Sequence, residues 1–149
     1  MKILLKYVLL IMLGITINSY RSYSQKVTEE VALCVENAGA DATYLKDFDV
    51  QNSIVETVNK VPVARFSMMF SKNIIYRFTI CNNESASHPM LQLFDMTTLL
   101  GSTYNASTGK EYQSFDFECQ KTGVYHVLIS FIDGRKGNAV GIISFVKTL

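Results

Sequence analysis

Ile74-Ile75-Tyr76-Arg77-Phe78-Thr79-Ile80-Cys81 decides the fold class. Ile74, Tyr76, Phe78 and Ile80 fall on one side of an extended chain, and Ile75, Arg77, Thr79 and Cys81 on the other. Side chains of a strand alternate between faces, so an apolar residue at every second position marks a half-buried antiparallel strand. Ser71-Lys72-Asn73 ahead of it reads as a turn, because Asn tolerates the left-handed conformation.

The same alternation extends in both directions. Upstream, Tyr44 to Val50 and Val63 to Phe70 are strands, while residues 51–62 are polar, end in Pro62 and read as a loop. Downstream come Met90 to Asp95 with Leu91 and Leu93 inward, Leu99 to Tyr104, and Tyr112 to Cys119 with Phe115 and Phe117 inward. Val124 to Ile132 is the most hydrophobic strand. Tyr125, Val127, Ile129 and Phe131 share one face; Leu128 and Ile132 lie on the other, which predicts a central strand covered by a helix. Ala139 to Val146 is the last strand. Asn82 to Pro89, Asn105 to Lys110 and the hairpin loop Asp133 to Gly137 connect these runs.

Residues 26–38 follow a different period. Val27, Val31, Cys34, Val35 and Ala38 form one helical stripe, with Thr28 as N-cap, Glu29 and Glu30 in the first turn and Gly39 as the stop. The rival pattern, a strand with Val31, Leu33 and Val35 on one face, fits fewer of these signals. The expected fold is mainly β: an antiparallel β-sandwich or jelly roll of seven or eight strands with one short N-terminal helix.

The first 24 residues read as a signal peptide. Lys2 and Lys6 precede the apolar run from Tyr7 to Ile17, and Ser22-Tyr23-Ser24 supplies small residues for cleavage before Gln25. Eleven apolar residues are too few for a spanning helix, which needs about 20. The expected domain is residues 25–149, with no membrane span after cleavage and a periplasmic or secreted location. Loss of Lys2, Lys6 and Arg21 moves the formal charge from +1 to −2. With no basic run, this argues against nucleic acid as a partner.

Cys34, Cys81 and Cys119 are disulfide candidates in an exported chain. Alternation puts Cys81 on the polar face of its strand and Cys119 on the apolar face of its own, which counts against a simple bridge between them. Cys34 reaches either, and three pairings stay open. The wide spacings indicate neither zinc nor a redox motif.

Little in the chain points to catalysis. Asp47 and Asp49 lie on one strand face, as a calcium site or a glycosidase pair would require, but no acidic calcium loop accompanies them. His88 and His126 stand in a loop and in a strand. Ser67, Ser114 and Ser130 lie in no nucleophile elbow. Of Tyr44, Tyr76, Tyr104, Tyr112 and Tyr125, Tyr104 and Tyr112 flank the turn at residues 105–110 and are the ligand-binding candidates, because exposed rings pack on sugar C–H surfaces.

At Met90-Leu91-Gln92-Leu93-Phe94-Asp95 and Gly123-Val124-Tyr125-His126-Val127-Leu128-Ile129 the chain resembles the pre-peptidase C-terminal domain family. Those domains are small β-sandwiches appended to secreted bacterial proteins. The shared features are an L-x-L-x-D strand and a later Gly-x-Tyr-x-Val strand followed by a final antiparallel one, over roughly residues 65–147. The resemblance implies a sandwich; this chain departs from it in an extra N-terminal segment, and the domain is expected to stand alone, with no protease attached. The ending Ser22-Tyr23-Ser24-Gln25 looks like those of Bacteroidetes-type exported proteins, which implies a Gram-negative envelope. The expected function is non-catalytic, without cofactor, binding a protein, glycan or cell-envelope component. The alternative is a small hydrolase of envelope polymers using Asp47, Asp49 or His126.

Overall fold

A computed structural model describes residues 29–51, 56–58, 61–82 and 87–149, with backbone alone at 56–58. Among these residues helix α1 covers 29–38 and is followed by eleven strands. They are β1 (Thr43–Gln51), β2 (Glu56–Val58), β3 (Val61–Phe70), β4 (Ile74–Cys81), β5 (Pro89–Asp95), β6 (Thr98–Ser102), β7 (Tyr104–Asn105), β8 (Lys110–Glu111), β9 (Ser114–Glu118), β10 (Gly123–Phe131) and β11 (Asn138–Thr148). The signal segment and Thr28 lie outside the described residues. No helix among the described residues is long and apolar enough to cross a membrane.

The strands form two facing antiparallel sheets, ordered β1-β11-β4-β9 and β2-β3-β10-β5-β6, with β7 and β8 as a separate ribbon. Setting aside the short β2, β7 and β8 leaves eight principal strands, within the seven or eight expected. Renumbered along the chain, their orders are 1-8-3-6 and 2-7-4-5, the order of a jelly roll. In this topology one long antiparallel ribbon pairs β1 with β11, β3 with β10, β4 with β9 and β5 with β6. Rolling it up then pairs β11 with β4 and β10 with β5. Several boundaries differ from the sequence reading, and the strand expected from Leu99 to Tyr104 is divided at Thr103 into β6 and β7. The loop at 51–62 contains β2, hydrogen-bonded to β3, and the strand expected from Tyr112 starts at Ser114, because Lys110 and Glu111 pair back with β7.

The core lies between the sheets. Leu91, Leu93, Val127, Phe78 and Ile143 are wholly buried there, each contributing about 1.5–3 kcal/mol of apolar burial. Phe70, Tyr76, Phe78, Phe115, Phe117 and Tyr125 form a continuous ring cluster, in which Phe78 and Phe115 stack at 5.2 Å. Phe115 also closes the sandwich at its edge: a Cβ on Gly101 of β6 would lie 2.3 Å from its ring. Asn73 turns the chain into β4 with φ 64°, as its residue type predicts.

The helix covers a different surface from the one expected. Cys34 and Ala38, with Val31 and Val35, pack on Cys81, Val140 and Ile142. These residues form the outer face of the four-stranded sheet. Leu128 is on the outer face of β10, the central strand of the other sheet, and Ile132 lies just past the end of that strand; both stay half-buried without the helix. The correction has a simple cause. β11 is apolar on both faces, with Ala139 and Ile143 inward and Val140 and Ile142 outward, so it needs the cover more than β10 does.

Two devices hold α1 in place, the first of them polar. Gly39, at φ 92°, ends the helix, and Arg77 Nη1 donates to the Ala38 carbonyl at 2.8 Å and to Asp41 at 2.8 Å. The same guanidinium grips Asp116 of β9 through Nε at 2.7 Å and Nη2 at 2.9 Å, and it holds the Asp41 carboxyl below its ordinary value. The second device is covalent. Cys34 and Cys81 form a disulfide, with Cα atoms 5.6 Å apart, while Cys119 is a buried free thiol. Cys81 is on the outer face, as its parity predicts, and is buried there because α1 lies over it.

The bridge closes a span of 47 residues, so reducing it or making Cys34→Ala lowers the unfolding free energy by about 2–4 kcal/mol. Urea melts with and without reductant check this, and non-reducing peptide mapping that finds Cys119 in a crosslink contradicts it. A second expectation concerns alkaline pH. Burial, followed by the contact with Cys119, pushes the Tyr125 phenol up to about 12 from its ordinary 10.0, while its hydroxyl donates to the Lys121 carbonyl at 2.6 Å. The folded state therefore keeps a proton that the unfolded chain releases. Stability is intact below pH 10 and falls as the pH rises toward 12. Tyr125→Phe flattens that decline in melts at stepped alkaline pH; an identical slope in the variant contradicts the assignment.

Candidate functional site

The chain crosses from the five-stranded sheet to the four-stranded one between β6 and β9, and this crossing carries both candidate tyrosines. Thr103 anchors it. Its N–H donates to the Leu91 carbonyl at 2.9 Å, and its hydroxyl accepts the Leu91 N–H at 2.9 Å. Its carbonyl accepts the Tyr112 N–H at 2.8 Å, so one buried threonine ties β5 to both ends of the β7–β8 ribbon. Ser102 Oγ binds both the N–H and the carbonyl of Tyr104, at 3.1 and 2.9 Å. The ribbon turns through Asn105, whose side-chain oxygen accepts the N–H groups of Ser107 and Thr108 at 3.0 and 3.3 Å. Gly109 follows at φ 68° and donates to the Asn105 carbonyl.

Tyr104 and Tyr112 therefore face one groove of about 550 Å³, whose other walls are Met90 and Gln92 of β5, Leu99 and Ser102 of β6, and Asn105, Ala106 and Ser107 of the turn. None of these side chains is charged. Tyr112 is 43% exposed, with Lys110 Nζ 4.9 Å from its ring centroid. A second hollow of about 260 Å³ lies along Tyr112 and Gln113 toward α1, reaching Leu33, Asn37 and Asn82. The remaining tyrosines sort differently: Tyr76 and Tyr125 are core, and Tyr44 is exposed on β1.

The acids and histidines stay apart. Asp47 and Asp49 register against Ile142 and Val140, on the outer face of the four-stranded sheet beside α1. Asp47 accepts the Tyr44 hydroxyl, and Asp49 accepts Gln51 Nε2 at 2.5 Å. Partial burial raises the Asp49 carboxyl above its ordinary value, and Glu30 and Asp47 add to the rise. Among the described residues no three His, Cys, Asp or Glu side chains cluster as metal ligands. His126 stands on the outer face of the other sheet, with Nδ1 2.9 Å from Ser67 Oγ. His88 meets the Glu111 carboxylate at 3.2 Å. Its carbonyl accepts the N–H of Ile132, six residues along the chain from His126, or roughly 20 Å of strand. The residues that the hydrolase alternative requires are thus divided between opposite faces of the sandwich.

The Ser67–His126 pair and the Gln92, Leu99 and Asn105 walls were not singled out from the sequence. Inward Leu91 and Leu93 do imply outward Met90 and Gln92, so that part was legible. Leu99 joins them only through the β5–β6 ladder, and Ser67 meets His126 only through the β3–β10 ladder.

No family model matches this chain, and no curated protein matches it. The two segments that carry the resemblance to pre-peptidase C-terminal domains are neighbours in space: β5 and β10 pair directly, with Leu93 opposite Val127.

The Thr103 anchor yields a direct check. Thr103→Val leaves the buried Leu91 N–H without its hydroxyl acceptor and lowers stability by about 1–3 kcal/mol in urea titrations. A variant as stable as the parent shows that the ribbon is held by other contacts.

Proposed function

We propose that this chain is an exported, non-catalytic jelly-roll protein of the periplasm or cell surface that binds a saccharide of the cell envelope. One observation carries the reading: Tyr104 and Tyr112, eight positions apart in sequence, converge on a groove without charged walls. Tyrosine rings offer flat apolar faces to sugar C–H surfaces. Gln92, the side-chain amide N–H groups of Asn105 and the Ser107 hydroxyl offer donors and acceptors to hydroxyl groups. A neutral, hydroxyl-rich polymer suits a lining that has no charged side chain of its own. The signal-like N-terminus and the disulfide support an oxidising compartment. The strand motifs resembling pre-peptidase C-terminal domains support an accessory, binding role. The reading includes no cofactor, no metal and no nucleic acid.

Saccharide arrays probed with the purified protein, followed by calorimetry, test the reading. Tyr112→Ala and Tyr104→Ala each weaken binding by roughly tenfold or more, about 1.4 kcal/mol or above. The circular dichroism of Tyr112→Ala stays that of the parent, because Tyr112 is exposed. Undiminished binding in both variants, or no saturable binding to any saccharide, removes the proposal.

A further inference from the structure

The hollow of about 260 Å³ between α1, the end of β4 and β8 adjoins the tyrosine groove. Its walls are fastened to one another. The disulfide ties α1 to β4, and Asn37 Nδ2 donates to Cys81 Sγ at 3.6 Å. The Ile80 N–H donates to the Gln113 carbonyl at 3.0 Å, which holds the chain after β8 against β4. Asn82 Nδ2 donates to the Ser87 carbonyl at 2.6 Å, joining the residues after β4 to those before β5. Walls held in this way lose little freedom when a ligand enters. Tyr112 lines both this hollow and the groove, so the two meet at its side chain. Pockets that take a whole drug-sized ligand span about 300–1,000 Å³. The groove, at about 550 Å³, falls within that range and the hollow falls below it. The hollow therefore suits one unit of a ligand whose remainder lies in the groove.

We propose that this hollow is a subsite for the acetamido group of an N-acetylated sugar unit, in a saccharide whose neighbouring units occupy the groove; the proposal rests on the saccharide reading of that groove. The lining has two kinds of surface. Leu33, Ile80 and Pro89 are apolar, while Asn37, Gln113 and Glu111 are polar. Asn37 Oδ1 and the Gln113 side-chain amide have no partner among the described residues. They supply an acceptor and an amide that both donates and accepts. An acetamido group brings an N–H, a carbonyl and a methyl, and the lining has a complement for each. Asn37 Oδ1 accepts the N–H, Gln113 Nε2 donates to the carbonyl, and Leu33 and Pro89 cover the methyl. A hydroxyl at the same ring carbon leaves that apolar surface wet. An ammonium there suits the hollow less. The Glu111 carboxylate already faces His88 at 3.2 Å, and the Lys110 ammonium lies 4.9 Å from the Tyr112 ring centroid.

Calorimetry with oligosaccharides of cellulose, chitosan and chitin tests the proposal, because these share one backbone and carry a hydroxyl, an amine or an acetamido group at the same ring carbon. The chitin oligosaccharide is expected to bind about tenfold or more tightly than the cellulose one. Combining Asn37→Leu with Gln113→Ala removes that preference and leaves the affinity for the cellulose oligosaccharide unchanged. Side-chain amide signals of Asn37 and Gln113 in nuclear magnetic resonance spectra of the parent supply an independent readout if the double variant fails to fold. They shift with the chitin oligosaccharide and not with the cellulose one. Equal affinities for the two, with binding still weakened by Tyr104→Ala, overturn the subsite and spare the groove. A preference that survives in the folded double variant, amide signals that stay in place, or tightest binding of the chitosan oligosaccharide also overturns it. Failure of all three to bind overturns the subsite too, and the saccharide arrays then decide the groove separately.

Discussion

Everything in this molecule depends on two late strands seating between early ones. β10 enters between β3 and β5, and β11 enters between β1 and β4, so the last two strands of the chain form the middle of both sheets. Val127 and Ile129 then meet Leu91 and Leu93 within one sheet and Ile143 across the core. Gly141 makes this close approach possible, since a Cβ there would lie 2.8 Å from Ile129. Until these strands arrive, β1 and β4 have no common partner and the inner faces of both sheets remain wet. Such a topology rewards only contacts between residues far apart in sequence, and these form slowly because loop-closure entropy opposes them first.

The two outer faces are treated differently, and the difference follows from β11. Its Val140 and Ile142 point away from the core and would be exposed apolar surface. Helix α1 covers them, the disulfide ties the helix to β4, and Arg77 joins the helix end to β9. The opposite face presents His126, Ser67 and Arg65 beside exposed Met69 and Val124, and α1 does not lie over it. Side chains that are close in sequence type, such as Asp49 and His126, are therefore kept on opposite sides of the sandwich.

The tyrosine groove is a product of the crossing between sheets. A jelly roll must carry the chain from the tip hairpin β5–β6 over to β9, and here the crossing folds into its own small ribbon fastened by Thr103. The same geometry leaves β6 at the rim with an open backbone edge.

The strands and the inward residues were legible in the sequence because alternation is a local property. Leu91, Leu93, Tyr125, Val127 and Ile129 are all buried as the period of two requires. The parity of Cys81 and Cys119 was legible for the same reason, whereas the bridge from Cys34 to Cys81 was decided by where α1 lands. Which sheet receives the helix, which strands sit at the edges, and whether Tyr104 and Tyr112 face one groove depend on pairings such as β11 with β4 and β7 with β8. A single strand records only which of its side chains are apolar. Its partner is chosen by the packing of the whole roll, where the burial of both faces of β11 and the closing contact of Gly101 on Phe115 are settled together.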